Sequence, residues 1–65
     1  MKDNVTQMYD TFEYLIYLAK KSSSQVTTFY MNSNTKSQMP IPTYRGIPIK
    51  LDDALPDWHA RATGD

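Results

Sequence analysis

The sequence predicts a single small α+β domain: one amphipathic N-terminal helix packed on an antiparallel sheet of two to three strands. Three observations predict it. The first twenty residues carry an apolar stripe at helical period. The stretch from Gln25 to Met31 is rich in β-branched and aromatic residues, and an alternating Ile-Pro-Ile run follows at 47–49. The domain is placed at 1–60, and residues 61–65 are expected to be a disordered tail.

The helix comes first. Val5, Met8, Tyr9, Phe12, Leu15, Ile16 and Ala19 follow the spacing i, i+3, i+4, i+7, i+10, i+11, i+14, which sets them on one face. Asn4 suits an N-cap, and Gln7 three residues on suits a capping box. Lys20 and Lys21 place positive charge at the negative end of the helix dipole, and Ser22-Ser23-Ser24 stops the helix. The predicted helix therefore spans 4–20. Tyr14, Tyr17 and Leu18 fall outside the stripe, either as a contact surface or as tyrosines snorkelling at the core's edge.

Two strand segments follow. In Gln25–Met31 the period of two sends Val26, Thr28 and Tyr30 to one face and Thr27, Phe29 and Met31 to the other. Asn32-Ser33-Asn34-Thr35 suits a turn or the cap of a short helix, which Pro40 and Pro42 would keep short. The segment Thr43–Leu51 reads as one strand with Ile47, Ile49 and Leu51 on one face. Pro48 has no N–H to donate, so this strand is expected at an edge or with a bulge, and Gly46 suits a bulge or a close approach.

Composition narrows the function. A chain of 65 residues buries only about 60% of its unfolded surface and gains from staples or a partner. With no cysteine, disulfides and thiolate metal sites are out. Seven basic residues balance seven acidic ones, so there is no net field to gather phosphates. No apolar run approaches the roughly 20 residues of a membrane span, and no signal-peptide pattern is present.

The candidate chemistry is thin. Asp52, Asp53, Asp57 and His59 have metal-ligating atoms but lack the glycine and twelfth-position glutamate of a calcium loop and the paired histidines of a zinc helix. A solvated, helix-capping turn explains them as well. His59 is the only histidine and no serine sits in an activating elbow, so no catalytic residue, cofactor or metal ligand is assigned and the chain is not expected to be an enzyme. Lys36, Tyr44, Arg45 and Lys50 form a basic and aromatic set that could hold single-stranded nucleic acid. Asn4-Val5-Thr6 matches a glycosylation sequon and is most simply the helix cap.

Two stretches resemble the major capsid proteins of tailed bacteriophages. Thr43-Tyr44-Arg45-Gly46-Ile47-Pro48-Ile49, with Lys50-Leu51-Asp52-Asp53-Ala54-Leu55 after it, is similar to an aromatic–Arg–Gly–Ile–Pro–Ile strand of several capsid lineages. Phe29-Tyr30-Met31-Asn32, with Thr35 following, resembles the capsid strand whose Met-Asn turn opens a helix. The amphipathic helix at 8–21 stands where such proteins carry one, and the similar parts run roughly from 8 to 58. Only eleven residues separate Asn32 from Tyr44, where the family usually has a longer helix and linker. The resemblance implies a shortened relative, a prophage remnant or a small mimic of part of a subunit.

It implies docking on capsid subunits or on another copy, in a shell or against its assembly. The expected contact residues are Tyr14, Tyr17 and Leu18 on the helix and Tyr44, Arg45, Gly46, Ile47, Pro48 and Ile49 on an edge strand. The expected location is the virion or the bacterial host cytoplasm. The alternative is a small nucleic-acid-binding or regulatory protein using Lys36, Tyr44, Arg45 and Lys50.

Overall fold

A computed structural model describes residues 3–65. Helix α1 (Asn4–Lys21) is followed by β1 (Val26–Met31), α2 (Ser33–Gln38), β2 (Thr43–Tyr44), β3 (Ile47–Leu51) and β4 (Arg61–Gly64). The four strands form one sheet in the order β2-β3-β1-β4. Helix α1 packs on one face of it, so the α+β class predicted from the sequence holds. The sheet is larger than predicted, and mixed: β3 runs parallel to β1, whereas β4 and β2 run antiparallel to their neighbours.

The helix forms as the apolar stripe dictates. Met8 and Phe12 are fully buried, and Val5, Tyr9, Leu15 and Ile16 pack around them. Its cap is Asp3 instead of Asn4: the Asp3 carboxylate accepts from the Thr6 N–H at 2.7 Å. An anion there also meets the positive end of the helix dipole, an advantage Asn4 lacks. The bond from Thr6 holds the Asp3 carboxyl below its usual range. At the other end Ser24 N–H bonds Ala19 O at 2.8 Å and Ser23 N–H bonds Lys20 O at 3.0 Å. With Ser23 at φ 57° this is a Schellman stop made by a serine where glycine is usual.

The core is Met8, Phe12, Phe29, Met31, Met39 and Ile49. Phe12 and Phe29 stack with centroids 4.5 Å apart. The row Ile49–Phe29–Ala62 crosses the three long strands on the helix side. Val26 also packs against this core, although simple alternation puts it opposite Phe29. The register with β4 shifts between Val26 and Thr28, a bulge at Thr27 that turns Val26 back toward α1.

The segment predicted as one edge strand is two strands. Arg45 (φ 52°) and Gly46 (φ 77°) both occupy the left-handed region and make a two-residue hairpin turn. Thr43 then pairs with Pro48 and Tyr44 with Ile47. A Cβ on Gly46 would meet nothing within 4 Å, so only its φ demands glycine, and the expected bulge or close approach is absent. β3 is thereby interior. Its register with β1 begins at Ile49, one residue after Pro48, so the missing N–H falls outside that ladder.

The expected disordered tail is also corrected. Residues 61–64 are β4, with Phe29 opposite Ala62 and Tyr30 opposite Arg61. Gln25 and Asp65 exchange backbone hydrogen bonds at 3.3 and 3.1 Å beyond its end. The strand rests mainly on backbone pairing, so its side chains carry little apolar alternation.

Candidate docking surfaces

The helix residues singled out from the sequence lie on the free side of α1. Tyr14 is 59% exposed and Tyr17 54%, on the face turned away from Met8 and Phe12, and Leu18, 39% exposed, lies on its flank. The Lys21 ammonium sits 5.7 Å from the Tyr17 ring centroid, a surface cation–π contact at one end of this patch. Leu51, at the end of β3 and beyond the reach of β2, is 53% exposed.

Of the residues from Tyr44 to Ile49, three pack into or onto the core: Tyr44, Ile47 and Ile49. The Tyr44 ring lies 5.2 Å from Phe12 and 5.5 Å from Tyr9, inside an aromatic cluster. Its hydroxyl donates to Glu13 Oε2 at 2.8 Å, while Arg45 donates to Glu13 Oε1 at 2.7 Å. Burial and the Glu13 bond both push the Tyr44 hydroxyl above its usual range. Ile49 is buried and Ile47 packs on the core. Gly46 and Pro48 remain exposed, as does Arg45 apart from its ion pair. The sheet edges are β2 and β4.

The same geometry bears on the basic and aromatic set. Tyr44 and Arg45 are both engaged with Glu13, so no stacking face or free cation is offered by that pair. On the sheet face away from α1 the register instead lines up Lys50, Tyr30 and Arg61. Arg61 lies 4.0 Å over the Tyr30 ring and pairs with Asp52 at 3.0 Å, which occupies both the ring face and the guanidinium. The sequence carried no sign of this row, because it depends on β4.

The aspartates after β3 serve the fold. Asp53 accepts from both the hydroxyl and the backbone N–H of Ser33 at the start of α2, and these bonds hold its carboxyl below the usual range. Asp57 accepts from Asn32 Nδ2 at 2.7 Å. His59 Nδ1 lies 3.0 Å from the Asp57 carbonyl oxygen. Among the described residues no three His, Cys, Asp or Glu side chains gather as a metal site.

Two shallow clefts of about 220 and 200 Å³ flank Ala19 and Val26 where the end of α1 meets the sheet. They are lined mostly by small and apolar groups, including Leu15, Ile16, Ala62 and Ile47, and hold no cluster of titratable side chains. Among the described residues no helix is long and apolar enough to cross a membrane. Comparison of the chain with protein-family models, with curated proteins and with solved structures finds no match.

Proposed function

We propose that this is a phage- or prophage-derived structural protein that works by docking on capsid subunits or on itself, without catalysis. The observation that carries it is the Tyr14–Tyr17–Leu18 patch, large apolar groups left in water on a domain with little apolar surface to spare. The capsid-like segments Phe29–Asn32 and Thr43–Leu55 supply the identity of the partner. Further support comes from what the polar groups do: Asp52, Asp53, Asp57 and Glu13 all hold the fold together, so surface contact is the activity left to it.

Docking takes two forms. The α1 patch buries aromatic area, and the β4 edge accepts a strand by main-chain hydrogen bonding. In a shell these contacts join subunits, and in excess they occupy a subunit's partner surface and stall assembly. The place of action is the virion or the host cytoplasm. Nucleic-acid binding through Lys36, Tyr44, Arg45 and Lys50 has less support, given the Glu13 bonds to two of the four.

The test is capture of coat protein. Tagged chain is mixed with coat protein from a related tailed phage, and assembly is followed by light scattering. The proposal expects co-purification and altered assembly, both lost in Tyr14→Ser/Tyr17→Ser. A chain that leaves coat protein uncaptured and assembly unchanged refutes it.

A further inference from the structure

The outer face of α1 has an order that simple exposure does not require. Asp10, Tyr14, Tyr17 and Lys21 are all exposed and are spaced four, three and four residues apart. At about 100° per residue they fall within roughly 60° of the helix circumference, one line opposite the buried stripe. Read along that line the chemistry is acid, tyrosine, tyrosine, base. Reversed, it is complementary to itself.

We infer that this face binds a second copy of the chain, with the two α1 helices antiparallel about a two-fold axis passing between residues 15 and 16. The axis sets Asp10 against the partner's Lys21 and Tyr14 against the partner's Tyr17, each contact occurring twice. A parallel arrangement sets acid on acid and base on base, so the charges choose the direction. Antiparallel helices also oppose their macrodipoles favourably. Lys21 is already held at the end of this line by its Tyr17 contact, where the partner's Asp10 arrives. Asp10 already has an interaction within its own chain, and a carboxylate, with about four lone-pair sites, accepts from more than one donor.

The strength follows from the size. Two tyrosines and the flanking Leu18 supply much less than the roughly 800 Å² per partner of a stable complex. Exposed ion pairs add only about two- to fivefold each. Self-association is therefore weak in dilute solution and becomes effective where other contacts raise the local concentration. The inference rests on the docking reading above in taking this face as a contact surface, and it commits the face to a second copy.

Charge reversal tests it without a double mutant. Asp10→Lys alone sets a cation against the partner's Lys21, and Lys21→Asp alone sets an anion against the partner's Asp10. Each variant is therefore expected to associate about tenfold more weakly than the parent. Mixed one to one, the two variants restore both attractive pairs, and the mixture is expected to associate within about threefold of the parent. Sedimentation velocity over a concentration series measures all four samples. Circular dichroism confirms that each variant remains helical, and Tyr17→Ser serves as a second, charge-neutral variant expected to weaken association. A mixture no tighter than either variant alone overturns the inference, as does a parent chain that stays monomeric throughout. Coat-protein capture by the single variants reads the docking proposal separately: capture that persists while the mixture fails to associate removes the dimer and leaves docking on capsid subunits standing.

Discussion

Asn32 Nδ2 donates to Asp57 Oδ1 at 2.7 Å, joining the end of β1 to a loop twenty-five residues away. The same amide donates to Leu55 O at 3.1 Å, and its oxygen accepts from Thr35 N–H at 2.7 Å to cap α2. A buried side chain thus has donors and acceptor all engaged. Asn32→Ala is expected to cost about 2–3 kcal/mol, for the lost cap and the stranded partners. Asn32→Asp, nearly the same shape, is expected to cost more at neutral pH because it sets two carboxylates face to face. Urea unfolding at neutral pH measures both.

At the end of α1, Ser23 holds a left-handed φ of 57° that favours glycine. The geometry is already that of a Schellman stop, so glycine removes the Cβ penalty without altering a contact. Ser23→Gly is expected to stabilise the domain by about 1 kcal/mol, seen as a rise in melting temperature of several degrees.

Gly64 is needed for a different reason. A Cβ there would run into the carbonyl oxygen of Gln25, where the chain crosses close to β1. Gly64→Ala is expected to pull β4 from its partner and cost about 1–3 kcal/mol. Amide exchange should show faster opening at Gln25, whose N–H bonds Asp65 O, than at Lys50, since only the β4 side of β1 is disturbed.

The pH limits of stability have named sources. The folded state holds the Asp53 carboxyl below its ordinary value of 3.8, through the Ser33 hydroxyl and N–H. Its contribution is fully present above that value and is lost as the pH falls through the lower, folded-state value. Asp3 acts in the same direction through Thr6. Tyr44 is the reverse case: its hydroxyl is raised above 10.0, so its contribution is whole below that value and is lost as the pH climbs past it. Asp53→Asn is expected to flatten the acid limb of the stability profile and Tyr44→Phe the alkaline limb. Denaturant midpoints across pH read both.

Local periodicity made α1 legible: the spacing from Val5 to Ala19 specifies both the helix and its buried side. The sheet was less legible, and for identifiable reasons. The Arg45-Gly46 turn lacks the asparagine or aspartate that usually announces a two-residue hairpin, so one strand was read where two exist. The bulge at Thr27 reverses the side of Val26, which a strict period of two cannot show. β4 has only Ala62 to signal burial. Tyr14, Tyr17 and Leu18 were visible as an excess over the stripe, whereas the tethering of Tyr44 and Arg45 to Glu13, some thirty residues earlier, is encoded by no local pattern.

The position of β1 between β3 and β4 has a consequence for synthesis on the ribosome. β1 is complete at Met31, yet the strand that covers its second edge is not made until residues 61–64. A nascent chain that has emerged only as far as Leu51 can fold α1 over β1 and β3 while leaving the other edge of β1 as an open template. Products ending before Arg61 would therefore present the edge of β1 itself to a foreign strand, an edge that β4 covers in the complete sheet.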